Sequence, residues 1–170
     1  MISVPRAQTP EDLDALRDLV RIYVRWVMTD VLKSDDRGVF AGLEVELADL
    51  PGRYGPPGGG LALARLNGAP AGCVAFFDRR NSTLQIKRMF VAPTARGHGI
   101  GGRMLDRLLT EGQGMGHRRA LLWTHLSMHS AEPVYAGGGF RKVPFSQEFT
   151  GATDGVDVCM KRDLPSGALT

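Results

Sequence analysis

The sequence predicts an α/β domain built on one mixed, mostly antiparallel sheet of about seven strands with about four helices. Three observations predict it. Apolar strand-like runs between residues 61 and 91 are separated only by short polar turns, one of them Asn67-Gly68, a strong hairpin signal. Directly after them, from Gly99, the apolar period changes from 2 to 3.6. Another apolar run, 119–124, follows that helical segment, as in a parallel crossover. The 170 residues suit one core, so 1–164 is expected to be a single domain and 165–170 a frayed tail.

The elements follow in order. Residues 2–6 read as a short first strand. Thr9 is suited to cap a helix, with Pro10 at its first position and Glu11 and Asp12 in its first turn. Leu13, Leu16, Val20, Tyr23, Val24 and Val27 then mark one apolar face. Residues 37–50 read as a second helix, broken at Pro51-Gly52, and the Pro/Gly-rich run 55–60 as a loop. Residues 61–66, 71–77 and 83–91 form an antiparallel meander, ended by Pro93 because proline cannot continue a ladder. Ile100, Met104, Leu105, Leu108 and Leu109 share one face of a third helix, ended by the glycines of 112–116. After the strand 119–124 comes a short helix, 130–137, with Pro133 tolerable only in its first turn. Residues 140–145 and 156–164 close the sheet.

Composition narrows the function classes. Apolar residues make up 43% and charged residues 23%, and the net charge is only +3. The basic residues are dispersed, so nucleic acid is not an expected partner. Arg17, Arg21 and Arg25 recur every four residues as one solvated helix face. Cys73 and Cys159 sit in apolar runs and read as buried free thiols rather than a disulfide framework. No signal-like or membrane-spanning run occurs, so a cytoplasmic protein with no membrane partner is expected. No His/Cys/Asp/Glu cluster has metal-ligand spacing, and no metal is expected.

The chemistry concentrates in Val91-Ala92-Pro93-Thr94-Ala95-Arg96-Gly97-His98-Gly99-Ile100-Gly101-Gly102. Four glycines in six residues let a ligand approach successive backbone N–H groups, at the start of a helix whose dipole favours anions. Arg96 adds a full charge, so the loop suits a diphosphate. Gly97, Gly99 and Gly102 also satisfy the dinucleotide fingerprint, which needs an acidic residue about 20 positions on for the ribose. The next strand ends in Trp123-Thr124-His125 without one, which argues against a nicotinamide or flavin cofactor. No Walker lysine follows the glycines, since Gly102 is followed by Arg103.

Arg96-Gly97-His98-Gly99-Ile100-Gly101 resembles the acyl-coenzyme A motif R/Q-x-x-G-x-G/A of the GCN5-related N-acetyltransferase (GNAT) superfamily. Ala131, Tyr135 and Gly139-Phe140 resemble that family's A-x-x-x-Y-x-x-x-G-F segment, at the usual distance. The element order fits from about Ile2 to Leu164, so 1–164 is expected to be a GNAT-type N-acetyltransferase domain. The resemblance implies an acyl-CoA N-acyltransferase fold whose fourth and fifth strands splay to admit the pantetheine arm. It implies acetyl-CoA as cosubstrate, with Arg96, Gly97, His98, Gly99, Ile100, Gly101 and Gly102 at the pyrophosphate. It places Phe90 and Val91 beside the acyl group, with the Val91 N–H polarising the thioester carbonyl. It makes Tyr135 the general acid that protonates the leaving thiolate, phenol and thiol being nearly matched at reference values of about 10 and 8.5.

Two departures bear on the general base. A lysine-like amine at about 10.4 needs roughly 4.6 kcal/mol of deprotonation at pH 7. Gln85 stands where relatives often place a glutamate, and a glutamine accepts no proton. Met128 stands where relatives often carry an asparagine, leaving His125 and His129 as substitute bases or as structural histidines. Glu44, Glu46 and Tyr54 lie in the region that usually shapes the acceptor pocket. The expected activity is direct acetyl transfer from acetyl-CoA to a primary amine of a small molecule or peptide. The alternative is a catalytically weak CoA-binding module acting as sensor or partner subunit. The acceptor, the donor's chain length and a homodimer stay open.

Overall fold

The computed structural model describes residues 1–35 and 40–165. Strands β1 (Ile2–Ser3), β2 (Gly60–Leu66), β3 (Ala69–Asp78), β4 (Thr83–Val91), β5 (Arg119–His125), β6 (Arg141–Lys142) and β7 (Asp157–Asp163) form one sheet in the order β1-β2-β3-β4-β5-β7-β6. Only β4 and β5 run parallel; every other neighbouring pair is antiparallel. The helices are α1 (Pro10–Trp26), α2 (Leu43–Ala48), α3 (Ile100–Gly114) and α4 (Ala131–Gly137). The expected class and the expected counts of strands and helices are therefore observed.

Local chemistry explains most boundaries. Thr9 caps α1: its hydroxyl accepts from the Asp12 N–H at 3.1 Å, while the Asp12 carboxylate accepts from the Thr9 N–H at 3.4 Å. A five-residue π-helical turn, Val27–Val31, carries α1 onward. Three elements are shorter than the sequence suggests. β1 stops at Ser3, because Pro5 lacks an N–H, and Arg6 makes only an isolated bridge to Ala62. α2 spans Leu43–Ala48 rather than 37–50, because Gly42 at its start has φ +82°, outside the helical region. Residues 37–39 of that expected helix lie outside the described residues. β6 is reduced to Arg141–Lys142, since Pro144 interrupts the ladder after Val143 donates to Cys159 O at 3.0 Å. Of the expected tail, 166–170 lie outside the described residues.

Each face of the sheet holds a core. Ala62, Ala64, Val74, Phe76, Leu84 and Ile86 meet Ile100, Met104, Leu105 and Leu108 of α3. Leu61, Leu63, Cys73, Ala75 and Phe90 meet Leu16, Leu19 and Val20 of α1 and Leu47 of α2. Strict alternation would place Phe90 with Leu84 and Ile86, on the α3 side. A β-bulge prevents it. Cys73 pairs with Phe90 and Ala75 with Lys87, so three steps along β4 face two along β3. Arg88 sits in the bulge at φ +56°. Past it the parity reverses: Met89 and Val91 face the α3 side and Phe90 the α1 side.

The parallel pair creates the feature that matters most. β4 and β5 pair at Thr83–Arg119, Leu84–Ala120 and Gln85–Leu121, and no further. Residues 86–91 and 122–125 continue as strands but diverge, as the fold resemblance implies. Backbone groups along this split have no ladder partner across it, and unpaired backbone N–H and C=O groups favour a polar ligand.

Candidate active site

Two cavities open from the split and meet at Tyr135. The first, about 310 Å³, lies between the divergent strand ends and the glycine loop. Met89, Phe90 and Val91 form one wall, the loop from Ala95 to Gly102 another, and Ala131, Val134 and Tyr135 of α4 close it. The second, about 1000 Å³, extends along β4 and β5 beneath α2 and the segment preceding β7. Tyr23, Met89, Met128, Ala131 and Tyr135 line both.

The loop has the shape of a cradle. Gly97 and Gly99 have φ of +82° and +73°, conformations open to glycine at little cost. A methyl group built on Gly97, Gly99 or Gly102 meets no protein atom within 4 Å, so their outer side faces open space. Ala95 and Ile100 anchor the loop from behind, both buried. The first N–H groups of α3 have no intrahelical partner and carry the positive end of a 15-residue helix dipole. This arrangement fits a diphosphate. The Arg96 guanidinium stacks on the Trp26 ring at 4.9 Å, and its Nε donates to Val91 O at 3.3 Å. His98 is exposed, turns its Nδ1 to the carbonyls of Ala95 and Arg96, and lies outside the cavity lining.

Tyr135 is 8% exposed and packs edge-on against Phe140 at 6.2 Å. Its hydroxyl makes no hydrogen bond among the described residues. Burial, with Tyr23 adding to it, pushes this phenol well above its ordinary value. The near match between phenol and thiol expected from reference values is therefore lost, and Tyr135 stays protonated throughout the physiological range.

The second cavity carries the charge. Glu46 on α2 accepts from Arg88 Nε at 2.8 Å, Arg88 Nη2 at 3.2 Å, Tyr54 Oη at 3.0 Å and Arg53 at 3.2 Å. Burial pushes the Glu46 carboxyl up, but the Arg88 hydrogen bonds and charge outweigh it, and the group is held below its usual range. Glu46 thus lines the cavity and Tyr54 is buried behind it, whereas Glu44 lies outside, paired with Arg21 at 3.0 Å. Arg17 likewise ties α1 to α2 through Leu47 O at 2.8 Å, so the arginine face of α1 is partly a docking face for α2.

Gln85 is 2% exposed and lines the same cavity. Its carbonyl accepts from Arg79 Nη1 at 2.9 Å. His125 also lines it, but its Nδ1 accepts the Ser127 N–H at 3.1 Å, so that lone pair is occupied. His129 lies elsewhere, in a separate small cavity with Glu132 and Lys142. Lys87 stands over the Trp123 ring at 6.0 Å, and burial, then Arg88 and Arg53, bring its ammonium down to about 8. Among the described residues no cluster of His, Cys, Asp or Glu could hold a metal, and no helix is long and apolar enough to cross a membrane.

Residues 26–140, which contain both the glycine cradle and Tyr135, match the acetyltransferase (GNAT) family model. The chain belongs to the GNAT family. It is 28% identical over 142 residues to an uncharacterized N-acetyltransferase of Schizosaccharomyces pombe, covering 82% of this chain and 83% of that one. It is 38% identical over 79 residues to an IAA acetyltransferase of Azospirillum brasilense, covering 46% of this chain and 52% of that one. The PaiA N-acetyltransferase of Thermoplasma acidophilum, solved in complex with coenzyme A, shares the fold with a TM-score of 0.77. That likeness covers 96% of this chain and 99% of that one at 16% identity.

Within this GNAT chain, Arg79, Lys87 and Arg88 are cavity residues that sequence reasoning passed over. One signal was present. Polar and apolar residues alternate from Thr83 to Lys87, and the adjacent Lys87-Arg88 pair breaks the phase where the bulge falls. Arg79 left no such signal, because it lies in a turn and reaches the cavity only through the folded sheet.

Proposed function

We propose that this protein transfers an acetyl group from acetyl-CoA directly to a primary amine of a small molecule or peptide. The observation that carries this reading is the meeting of the two cavities at Tyr135, one behind the glycine cradle and one leading to the charged acceptor side. The relatives' names, and the coenzyme A bound to the Thermoplasma protein, support the donor.

Bound acetyl-CoA supplies the acetyl group as a thioester. The backbone N–H groups of Gly97, Gly99, Ile100, Gly101 and Gly102, with the Arg96 guanidinium, hold its pyrophosphate. Those of Ile100, Gly101 and Gly102 open α3 and have no intrahelical partner, so little ordering is needed on binding. In this reading Phe90 and Val91 flank the acyl group, and the Val91 N–H polarises the carbonyl oxygen where negative charge develops. The amine nitrogen bonds to the carbonyl carbon as the carbon–sulfur bond breaks. Tyr135 donates a hydrogen bond to the leaving sulfur as it becomes negative, and the amine's proton passes through solvent to the thiolate. Glu46 is saturated by Arg88, Arg53 and Tyr54, Gln85 is an amide, and His125 Nδ1 is occupied, so the acceptor enters as its free amine.

A rival reading, a CoA-binding module without turnover, draws on the lock between Gln85 and Arg79. The test is release of CoA thiol by the purified chain across a panel of amines, amino acids and peptides. Amine-dependent release supports the enzyme. Tight acetyl-CoA binding without release from any acceptor supports the module.

A further inference from the structure

We propose that the acceptor carries an oxyanion, a carboxylate in the simplest case, on the same skeleton as its amine, and that Arg79, Lys87 and Gln85 bind it. This rests on the acetyl-transfer reading and deepens it, naming the class of acceptor. The observations concern what these three groups offer and what they lack. Arg79 has a guanidinium with five donors and no acceptor. Two of its amino groups meet neutral oxygens, Gln85 Oε1 at 2.9 Å and Thr150 Oγ1 at 3.4 Å. Because Arg79 must find an oxygen, the Gln85 amide turns its carbonyl to Arg79 and leaves its NH₂ for the cavity. That NH₂ makes no hydrogen bond among the described residues. Lys87 adds three more donors. The subsite is therefore rich in donors and poor in acceptors.

Charge supports the same conclusion. Among the described residues neither Arg79 nor Lys87 has a carboxylate within salt-bridge distance, whereas Arg6, Arg17, Arg21, Arg53, Arg65 and Arg88 each have one. Taking cations partly out of water without a counter-charge is costly, and a ligand's anion would supply one. The cavity's cations are Arg53, Arg79, Lys87 and Arg88, against Glu46 and Asp157. Glu46 is consumed by Arg53 and Arg88. Asp157 accepts the Thr153 N–H at 2.8 Å. The excess positive charge falls on Arg79 and Lys87.

Position completes the argument. Lys87 and Gln85 precede Met89, which lines both cavities beside Tyr135, by at most about 7 and 13 Å of chain, the bulge at Arg88 shortening the span. An acceptor of amino-acid to dipeptide length spans from the subsite to the acyl group. Trp123 packs beside Lys87, and a methyl on Gly151 would approach the Trp123 ring at 3.4 Å, so the subsite is closed on that side.

The test compares amines that differ only in the anion. Straight-chain ω-amino acids of two to six carbons are offered beside their carboxamides, whose amines titrate alike when several bonds intervene. In parallel, calorimetry measures the N-acetyl acid and the N-acetyl carboxamide binding to the CoA-saturated protein, which needs no turnover. The expected result is at least a tenfold preference for the acid, in kcat/KM and in affinity, at the best chain length. Lys87→Met and Arg79→Gln each bring the acid-to-carboxamide ratio close to one, and Lys87→Arg restores it. Carboxamides used as well as acids, or a preference that survives both substitutions, overturns the proposal while leaving acetyl transfer standing. If no amine is acetylated but the N-acetyl acids bind in an Arg79- and Lys87-dependent way, the subsite stands and the transfer reading falls. If neither acid nor carboxamide binds or reacts, the subsite is refuted.

Discussion

Replacing Tyr135 by phenylalanine keeps the ring and removes one hydroxyl. In the unliganded protein that hydroxyl has no hydrogen-bond partner among the described residues, so its loss strands no buried group. The stability change is expected within about 0.5 kcal/mol, a Tm shift of about 1–2 °C for a domain this size. The catalytic cost is larger and can be bounded. Reference phenol and thiol values of about 10 and 8.5 already make full proton transfer uphill by about 2 kcal/mol. Burial pushes Tyr135 further up and widens that gap. Tyr135 then acts mainly by donating a hydrogen bond to the sulfur as it becomes negative, worth about 1.5–3 kcal/mol. Turnover of Tyr135→Phe should fall by roughly 10- to 150-fold, at or below the lower end of general acid catalysis, about 10²–10⁴. The assay is thiol release at saturating acetyl-CoA and acceptor, with CoA affinity and Tm measured alongside. Wild-type turnover in the phenylalanine variant refutes the role. So does a limb near pH 8–9 in the wild-type profile that disappears with the hydroxyl, since Tyr135 remains protonated there.

Three further outcomes are expected. Gly99→Val forces a β-branched residue to φ +73° and fills the open side of the cradle, so calorimetry should show acetyl-CoA affinity falling by at least 100-fold in a folded variant; unchanged affinity removes the pyrophosphate assignment. Glu46→Gln leaves Arg88 without its counter-charge and should cost about 2 kcal/mol in urea denaturation at pH 7, less than a fully buried pair because both side chains keep some exposure. Because the Glu46 carboxyl is held low in the folded state, that difference is present above its unfolded value of about 4.3 and shrinks as pH falls through the folded one. Binding of N-acetyl acids should weaken as pH rises through about 8, because a bound anion favours charged Lys87 and raises its pKa; the Lys87→Met variant should lack this dependence. Arg88 of β4 and Arg53 from the turn after α2 lower Lys87, and Glu46 of α2 raises it. Arg79, Tyr23 of α1, Tyr135 of α4, His125 of β5 and Asp157 of β7 complete the titratable groups around that cavity.

What the sequence determined by itself was local. Thr9 and Asp12 cap α1, Asn67-Gly68 turns the hairpin, and the period change at Gly99 starts α3, because each signal acts over a few residues of chain. The cradle was legible for the same reason: its glycines, its arginine and the helix they open are contiguous. The tertiary structure decided what depends on register and on distant chain. The bulge at Arg88 reverses the parity of β4, sending Phe90 to one face and Met89 and Val91 to the other. The end of β4–β5 pairing after Gln85 opens the split. Arg79 reaches Gln85 across a turn, and α2 carries Glu46 to Arg88, 42 positions further along the chain. No periodicity encodes such meetings, because the energy that fixes them comes from sheet packing and ion pairing between segments far apart in sequence.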